Sequence, residues 1–407
     1  MGTEIRFITD AELAGFDECQ SIAMVREPRD REGVERRRAI QEIDRSIAAF
    51  DGGQVVGTAS AFTRTLTTPG GSAAMGGLTM VSVRSTHRRQ GILTEMMRQH
   101  FADCLRRCEA LSGLYAAEAP IYGRFGYGIA AQHAELRIER AHARLEHLPE
   151  IRGRMRMIGQ DEAREQWPTV WDTLRPKQPG MLNRPTSWWP RVFHDPAEQR
   201  AGLTSLRFVN YEVDGEILGY VLFRQKNDWK EGLPNCTLKV QELIATSPEA
   251  YAALWQYLFS VDWMATIEGE MFAPDEPLYH MLQDERRLRR TVDDGVWLRI
   301  LDVNRALEAR TYGCDGELTF VVDDPFLPEV GGTFLLVGGP GGAACRRAEL
   351  DRGAIRLGIA ELSAIYLGGT RLSTLVRAGR VTGDAEEIRL AEMMFSSDPP
   401  PWCPEMF

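Results

Sequence analysis

The chain repeats itself, and that repetition constrains its fold more than any other feature. Residues 51–62, Asp-Gly-Gly-Gln-Val-Val-Gly-Thr-Ala-Ser-Ala-Phe, read as a hairpin whose turn needs residues tolerant of positive φ. Residues 214–223, Asp-Gly-Glu-Ile-Leu-Gly-Tyr-Val-Leu-Phe, read the same way. After each hairpin comes a connection, then an apolar strand running into an amphipathic helix, over residues 78–105 in one case and 237–260 in the other. Two copies of one mixed α/β unit are expected. Around the first, Glu4–Thr9 alternates like a strand and Thr9-Asp10-Ala11-Glu12 carries a capped helix start. In the helix after residue 91 the expected buried stripe is Leu93, Met97, Phe101 and Leu105. Beyond Trp297–Val303, strand-like runs, Gly- and Pro-rich loops and a helical stretch make a third, α+β unit.

The copies differ between strand and helix. The first has Arg84-Ser-Thr-His-Arg-Arg-Gln-Gly-Ile92, and the second has Ala245-Thr-Ser-Pro-Glu-Ala-Tyr-Ala-Ala253. A helix beginning near Gly91 presents unpaired amides and partial positive charge at its head. Arg88 and Arg89 add two cationic forks, and Gly91 removes a Cβ where a phosphate would approach the backbone. Such a segment is a pyrophosphate cradle, and the second copy lacks it.

Composition excludes several classes. The net charge of −10, from 48 basic and 58 acidic residues among 407, disfavours nucleic-acid or anionic-membrane binding by bulk charge and permits a cationic ligand. Seven widely spaced cysteines without a C-x-x-C pair read as reduced thiols. The start, Met1–Arg6, lacks an apolar signal core, and no run reaches the ~18 apolar residues of a membrane span, so a cytoplasmic protein is expected. No metal site is expected: His142 and His147 are five apart, without the Glu that a metalloprotease helix places after its first histidine. His142–His147 and the charged run Asp284–Arg290 read as solvated helix faces, His87 as loop structure and His133 as a strand histidine.

The strand–Arg-Arg-x-Gly–helix arrangement resembles the acyl-CoA pocket of GNAT acetyltransferases, with Arg88 and Gly91 on the consensus Arg/Gln-x-x-Gly-x-Gly/Ala and Leu93 in its last position. Val81–Leu93, Ile121–Gly128 (Ile-Tyr-Gly-Arg-Phe-Gly-Tyr-Gly), Gly295–Arg310, Tyr366–Leu375 and the final Ser396–Phe407 together resemble the Eis (enhanced intracellular survival) family across nearly the whole chain. The resemblance implies tandem GNAT-like domains, 1–150 with the acetyl-CoA site and 151–300 without it, then a sterol-carrier-protein-like domain, 301–407. It also implies an N-acetyltransferase forming a homohexamer. Acetyl-CoA would be held by Val81, Ser82, Val83, Arg88, Arg89, Gln90, Gly91 and Ile92. Tyr127 would be the acid for the departing thiolate, with Tyr122 as fallback, since a phenol near pKa 10 can serve a thiol near 8.5. The α-carboxylate of Phe407, anchored by its ring, would help deprotonate the amine. By resemblance the acceptors are polycationic amines such as aminoglycosides, with lysine side chains or polyamines as alternatives. The family's glutamate before the final phenylalanine is Met406 here, with Glu405 one residue out of register. The rival reading is a non-enzymatic carrier of apolar ligands or acyl-CoA.

Overall fold

A computed structural model describes residues 3–349 and 353–407. They form two compact units: 3–131 with 296–398 and 406–407, and 132–295 with 399–405. The sheets do not divide at single points along the chain. Gln132–Glu139 pairs in the second unit's sheet, and Trp297–Ile300 pairs in the first unit's.

The first unit's larger sheet runs β1 (Glu4–Phe7), β2 (Ser46–Asp51), β3 (Gln54–Thr68), β4 (Gly71–Val83), β5 (Leu111–Leu114), then Trp297–Ile300 and Gly128–Ile129. Gly52 and Gly53, at φ 55° and 81°, make the β2–β3 turn, a conformation nearly free of steric cost only for glycine. The helices α1 (Leu13–Ala23), α2 (Arg31–Arg38) and α3 (Ile92–Arg106) complete the first copy. Before α1, Thr9 and Glu12 close the expected capping box. The buried face of α3 is Ile92, Met96, Met97, His100, Phe101, Asp103 and Cys104, while Leu105 is exposed. The stripe is thus rotated from the expected one, because Arg45, in the short turn before β2, reaches Asp103 and Glu109 and draws polar residues inward.

In the same unit, residues 303–398 build a five-stranded sheet, with Gly316–Asp323 between Gly332–Gly339 and Ile355–Gly358. The helical stretch after residue 358 is two helices, Ile359–Ile365 and Leu372–Arg377, separated at Gly368 with φ 87°.

The second unit repeats the first copy's plan: a hairpin Arg207–Val213/Glu216–Lys226, a strand Cys236–Ala245, and a helix Pro248–Ser260 leading to a parallel strand Met264–Phe272. The runs 142–147 and 284–290 are not the expected helix faces. Leu145 bridges Leu282, and Arg289–Asp294 is drawn into pairing with Gln132–Arg137. In the first run only Arg144 and His147 are exposed, whereas the second is exposed apart from Leu288. No helix among the described residues is long and apolar enough to cross a membrane.

Glu276 of this unit is buried, and its Oε1 has no hydrogen-bond partner. Burial raises its carboxyl to about 8, against the opposing effects of the Leu278 amide and Arg290. A carboxyl with a raised native pKa adds stability below its unfolded value, and this is lost as pH rises through the native one. Glu276→Gln is therefore expected to flatten the pH dependence of thermal unfolding between about 4.5 and 8. At pH 8 it should stabilise the unit by on the order of 1–3 kcal/mol. A melting-temperature series across this range checks it.

Candidate active site

The site is built on a fork. Strand β4 pairs with β5 in parallel over Met75–Leu111, Gly76–Ser112 and Gly77–Gly113, and not beyond. From Leu78 to Val83 the β5-side edge of β4 has no strand partner, while on the other side β3 stays paired. The β3–β4 register slips between Thr58–Ser82 and Ser60–Thr79, so Met80 and Val81 stand opposite one residue. Met80 takes φ 53°, and Thr58 Oγ1 braces the bulge by donating to Met80 O at 2.7 Å. The bulge turns the strand away from β5 and leaves unshared backbone groups facing the fork.

At the outer end of the fork lies the loop to α3. Arg88, Arg89, Gln90 and Gly91 are all exposed, with Arg89 at φ 62° and Gly91 at φ 81°. Two left-handed residues so close curl the backbone into a concavity of the kind that receives anions. A Cβ at Gly91 would meet nothing within 4 Å, and no side chain caps the helix that Gly91 begins. Its first amides therefore face outward beside two guanidinium groups. His87 is loop structure as expected: Nε2 lies 3.1 Å from Asp51 and Nδ1 2.8 Å from Thr86 Oγ1, pinning the loop to the hairpin. Of the other expected contact residues, Ser82 spends its hydroxyl on Thr58 at 2.7 Å and Ile92 is core. Only their backbones are free to serve a ligand. Val81 and Val83 are half-buried along the unpaired edge.

At the crotch of the fork two expected catalytic residues meet adjacent pairs of the ladder. Tyr127 follows the turn at Gly126 (φ 85°), is 1 % exposed, and has its hydroxyl 2.6 Å from Ser112 Oγ. Burial holds its phenol well above the ordinary value, with Ser112 acting in the opposite sense. Tyr122 packs edge-on against it at 5.9 Å, and burial raises its phenol to about 12. The Phe407 ring lies over Gly77, where a Cβ would be 3.0 Å from Cε2, and edge-on to Tyr115 at 5.4 Å. Glycine at 77 is what lets the ring sit there. Ser112 and His100, which bond each other behind Tyr127, were not expected from the sequence. A histidine three places from Met97 on an apolar helix face was the available signal.

The second copy has the same fork, with parallel pairing ending at Val240 and a bulge at Gln241. Its helix head is closed: Ser247 accepts from Ala250 N, and Pro248 offers no amide. Glu242, next to the bulge, holds Arg184 at 2.7 Å, and Arg184 also bonds Glu405 at 2.5 Å. The guanidinium stacks on Trp171 at 3.5 Å and Trp189 at 4.5 Å, and Tyr220 Oη donates to Glu242 at 2.7 Å. Trp402 joins this anchorage through Nε1 to Met271 O at 2.7 Å. Glu405 is thus buried in an ion pair and is not an exposed acidic lining. Among the described residues no group of three or more His, Cys, Asp or Glu is arranged to hold a metal.

Comparison with known proteins identifies the family. An acetyltransferase (GNAT) domain model matches residues 4–130, a second matches 180–300, and a sterol carrier protein domain model matches 303–404. An N-acetyltransferase of Streptomyces avermitilis is 39 % identical over 375 residues, covering 90 % of each chain. N-acetyltransferase Eis of Mycobacterium tuberculosis is 34 % identical over 368 residues, 86 % of each chain. The crystal structure of Eis1 from Mycobacterium abscessus superposes with a TM-score of 0.87 at 30 % identity, over 99 % of this chain and 100 % of that one. A GCN5-related N-acetyltransferase from Anabaena variabilis shares the fold at 17 % identity, with a TM-score of 0.87 over the whole of both chains.

Removing Arg184 would leave Glu242 and Glu405 buried without their countercharge. Arg184→Met is expected to lower the stability of the second unit by about 3–5 kcal/mol, read as an earlier thermal transition. An unchanged melting curve would show that the clasp contributes nothing.

Proposed function

The chain belongs to the Eis family of GNAT N-acetyltransferases, and from that premise we propose that it transfers acetyl from acetyl-CoA directly to an amine within one ternary complex. GNAT domains in general depend on acetyl-CoA. The observation that carries the reading here is the fork between β4 and β5, with an open helix head at its mouth and Tyr127 and Phe407 at its crotch.

Arg88, Arg89 and the amides from Gln90 to Ile92 hold the diphosphate, and the unpaired edge at Val81–Val83 offers backbone groups to the pantetheine amides and the thioester oxygen. A neutral amine nitrogen attacks the thioester carbon. The C–N bond forms, the C–S bond breaks, and Tyr127 gives its proton to the departing sulfur. The carboxyl group of Phe407, ordinarily near pKa 3.5 and so a weak base, takes the amine's proton through water or orients an amine already neutral. Proton and bond counts balance without a covalent enzyme intermediate.

The acceptor we propose is a polycationic amine, with aminoglycosides favoured over polyamines and lysine side chains. The support is the family and the net charge of −10. Glu405 plays no part in recognising it, since its carboxylate is held by Arg184. We further propose that the chain works as a homohexamer in the cytoplasm, with the three domains in the roles of cofactor-binding GNAT, cofactor-free GNAT and sterol-carrier-like module.

An acetyl-CoA consumption assay against aminoglycosides, polyamines and lysine peptides tests this. With an accepted amine, Tyr127→Phe and removal of Phe407 should each lower kcat by about 100-fold or more. Normal turnover in both would reject the assigned chemistry. Gly91→Val, which strains φ 81° and puts a side chain into the cradle, should raise KM for acetyl-CoA by about tenfold.

A further inference from the structure

Behind Tyr127 runs a line of buried polar groups that the transfer reaction as described does not use. Ser112 Oγ lies 2.6 Å from Tyr127 Oη, 2.7 Å from His100 Nε2 and 3.3 Å from the Gly76 carbonyl. His100 is flanked by Cys104 Sγ, 3.9 Å from Nδ1 and 3.7 Å from Nε2, and Cys104 lies 3.6 Å from Arg45 Nη2. Arg45 is bidentate to Glu109 at 2.6 Å and bonds Asp103 at 3.1 Å. These seven side chains are each no more than 2 % exposed. There is no slack at the crossing point, since a Cβ at Gly76 would come within 2.5 Å of Cys104 Sγ.

Burying so many polar groups is costly unless each is paired, and apolar side chains at 100, 104 and 112 would hold the helix to the sheet at least as well. The arrangement has a second property, which is direction. Ser112 has a single proton. If it goes to His100 or to Gly76, Tyr127 must donate inward to Ser112, and its proton faces away from the fork. If His100 carries its proton on Nε2, it donates to Ser112, Ser112 donates to Tyr127, and the phenol proton is free to leave. The second state leaves Nδ1 as an acceptor, and the Cys104 thiol, which burial and the neighbouring Glu109 keep protonated, lies 3.9 Å from it as the available donor.

We propose that Cys104, His100 and Ser112 form a hydrogen-bond wire that holds Tyr127 as a donor toward the leaving thiolate and steadies the phenolate it becomes. His100 and Ser112 are positioning residues, and the inference rests on the reading of Tyr127 as the acid. No proton passes through His100. Burial and Arg45 hold the imidazole down at about 3, so it stays neutral across the working range. The Tyr127 O–H bond breaks as the S–H bond forms, Ser112 donates to the resulting phenolate, and Tyr127 regains its proton from solvent. The other groups that bear on Tyr127 are Tyr122, beside it in the turn, and Arg299, from Trp297–Ile300. Arg299 favours the phenolate, as Ser112 does, while Tyr122 and Cys104 oppose it.

The test is a double-mutant cycle on the full chain, with acetyl-CoA and an amine it accepts. Ser112→Ala and His100→Leu should each lower kcat by about tenfold or more, with KM for acetyl-CoA changed by less than about twofold. Ser112→Thr and His100→Gln, which keep the hydroxyl and an N–H donor, should recover most of the loss. In a Tyr127→Phe background, Ser112→Ala should cost nothing further, because the wire has no phenol left to direct. The same multiplicative loss in both backgrounds would mean a merely structural role and overturn the inference, as would unchanged kcat in both single variants. Full activity of Tyr127→Phe alone would instead overturn the acid assignment beneath it. Melting curves of each variant separate loss of folding from loss of catalysis.

Discussion

The parting of β4 from β5 after Gly77 and Gly113 is the constraint on which the rest depends. A continuous parallel ladder would bury every backbone group of β4 and leave no room between the strands. The bulge at Met80–Val81, braced by Thr58, turns the strand aside, and three things then become possible in one place. Backbone groups of Leu78–Val83 are left to a ligand, the loop 85–91 comes to the head of α3, and the crotch admits the Phe407 ring over Gly77. Tyr127 is tied by its hydroxyl to Ser112, which pairs with Gly76 one step before the last ladder pair, Gly77–Gly113.

The second copy shows how little chemistry separates an open fork from a closed one. It keeps the bulge and the divergence, but Ser247 and Pro248 satisfy or remove the helix-head amides that Gly91 leaves open. With no guanidinium groups in that loop, nothing there favours an anion. Glu242, next to its bulge, is committed to Arg184, which in turn holds Glu405. A fold copied once thus carries an open helix head in one copy and a closed, ion-paired fork in the other.

Much of this was legible in the sequence because it is local. The Gly52–Gly53 turn, the Thr9–Glu12 box, the strand-to-helix junction at 83–92 and the loss of that junction at 245–253 are each set by residues within a few positions of one another. What was not legible depends on distant pairing. Trp297–Ile300 reads as the end of the second unit, yet it completes the first sheet beside Leu111–Leu114. Leu105 fits an apolar stripe but is exposed, since Arg45, far away in sequence, turns Asp103 and Cys104 inward. His100 was hidden because its polar side chain breaks the apolar period that reveals the buried face of α3, and Ser112 because a lone serine in the short strand β5 carries no signal of its distant partners His100 and Tyr127. Glu405 lacks register with the family's penultimate glutamate, and only its meeting with Arg184 shows the use it has found.

The central claim is that one of the two forks, and only one, receives CoA. Titration calorimetry of the purified chain with CoA measures this directly through stoichiometry and salt dependence. The account predicts one molecule bound per chain, with affinity falling as salt rises, since the diphosphate is held by guanidinium groups and helix-head amides. No association, or two molecules per chain, would contradict it.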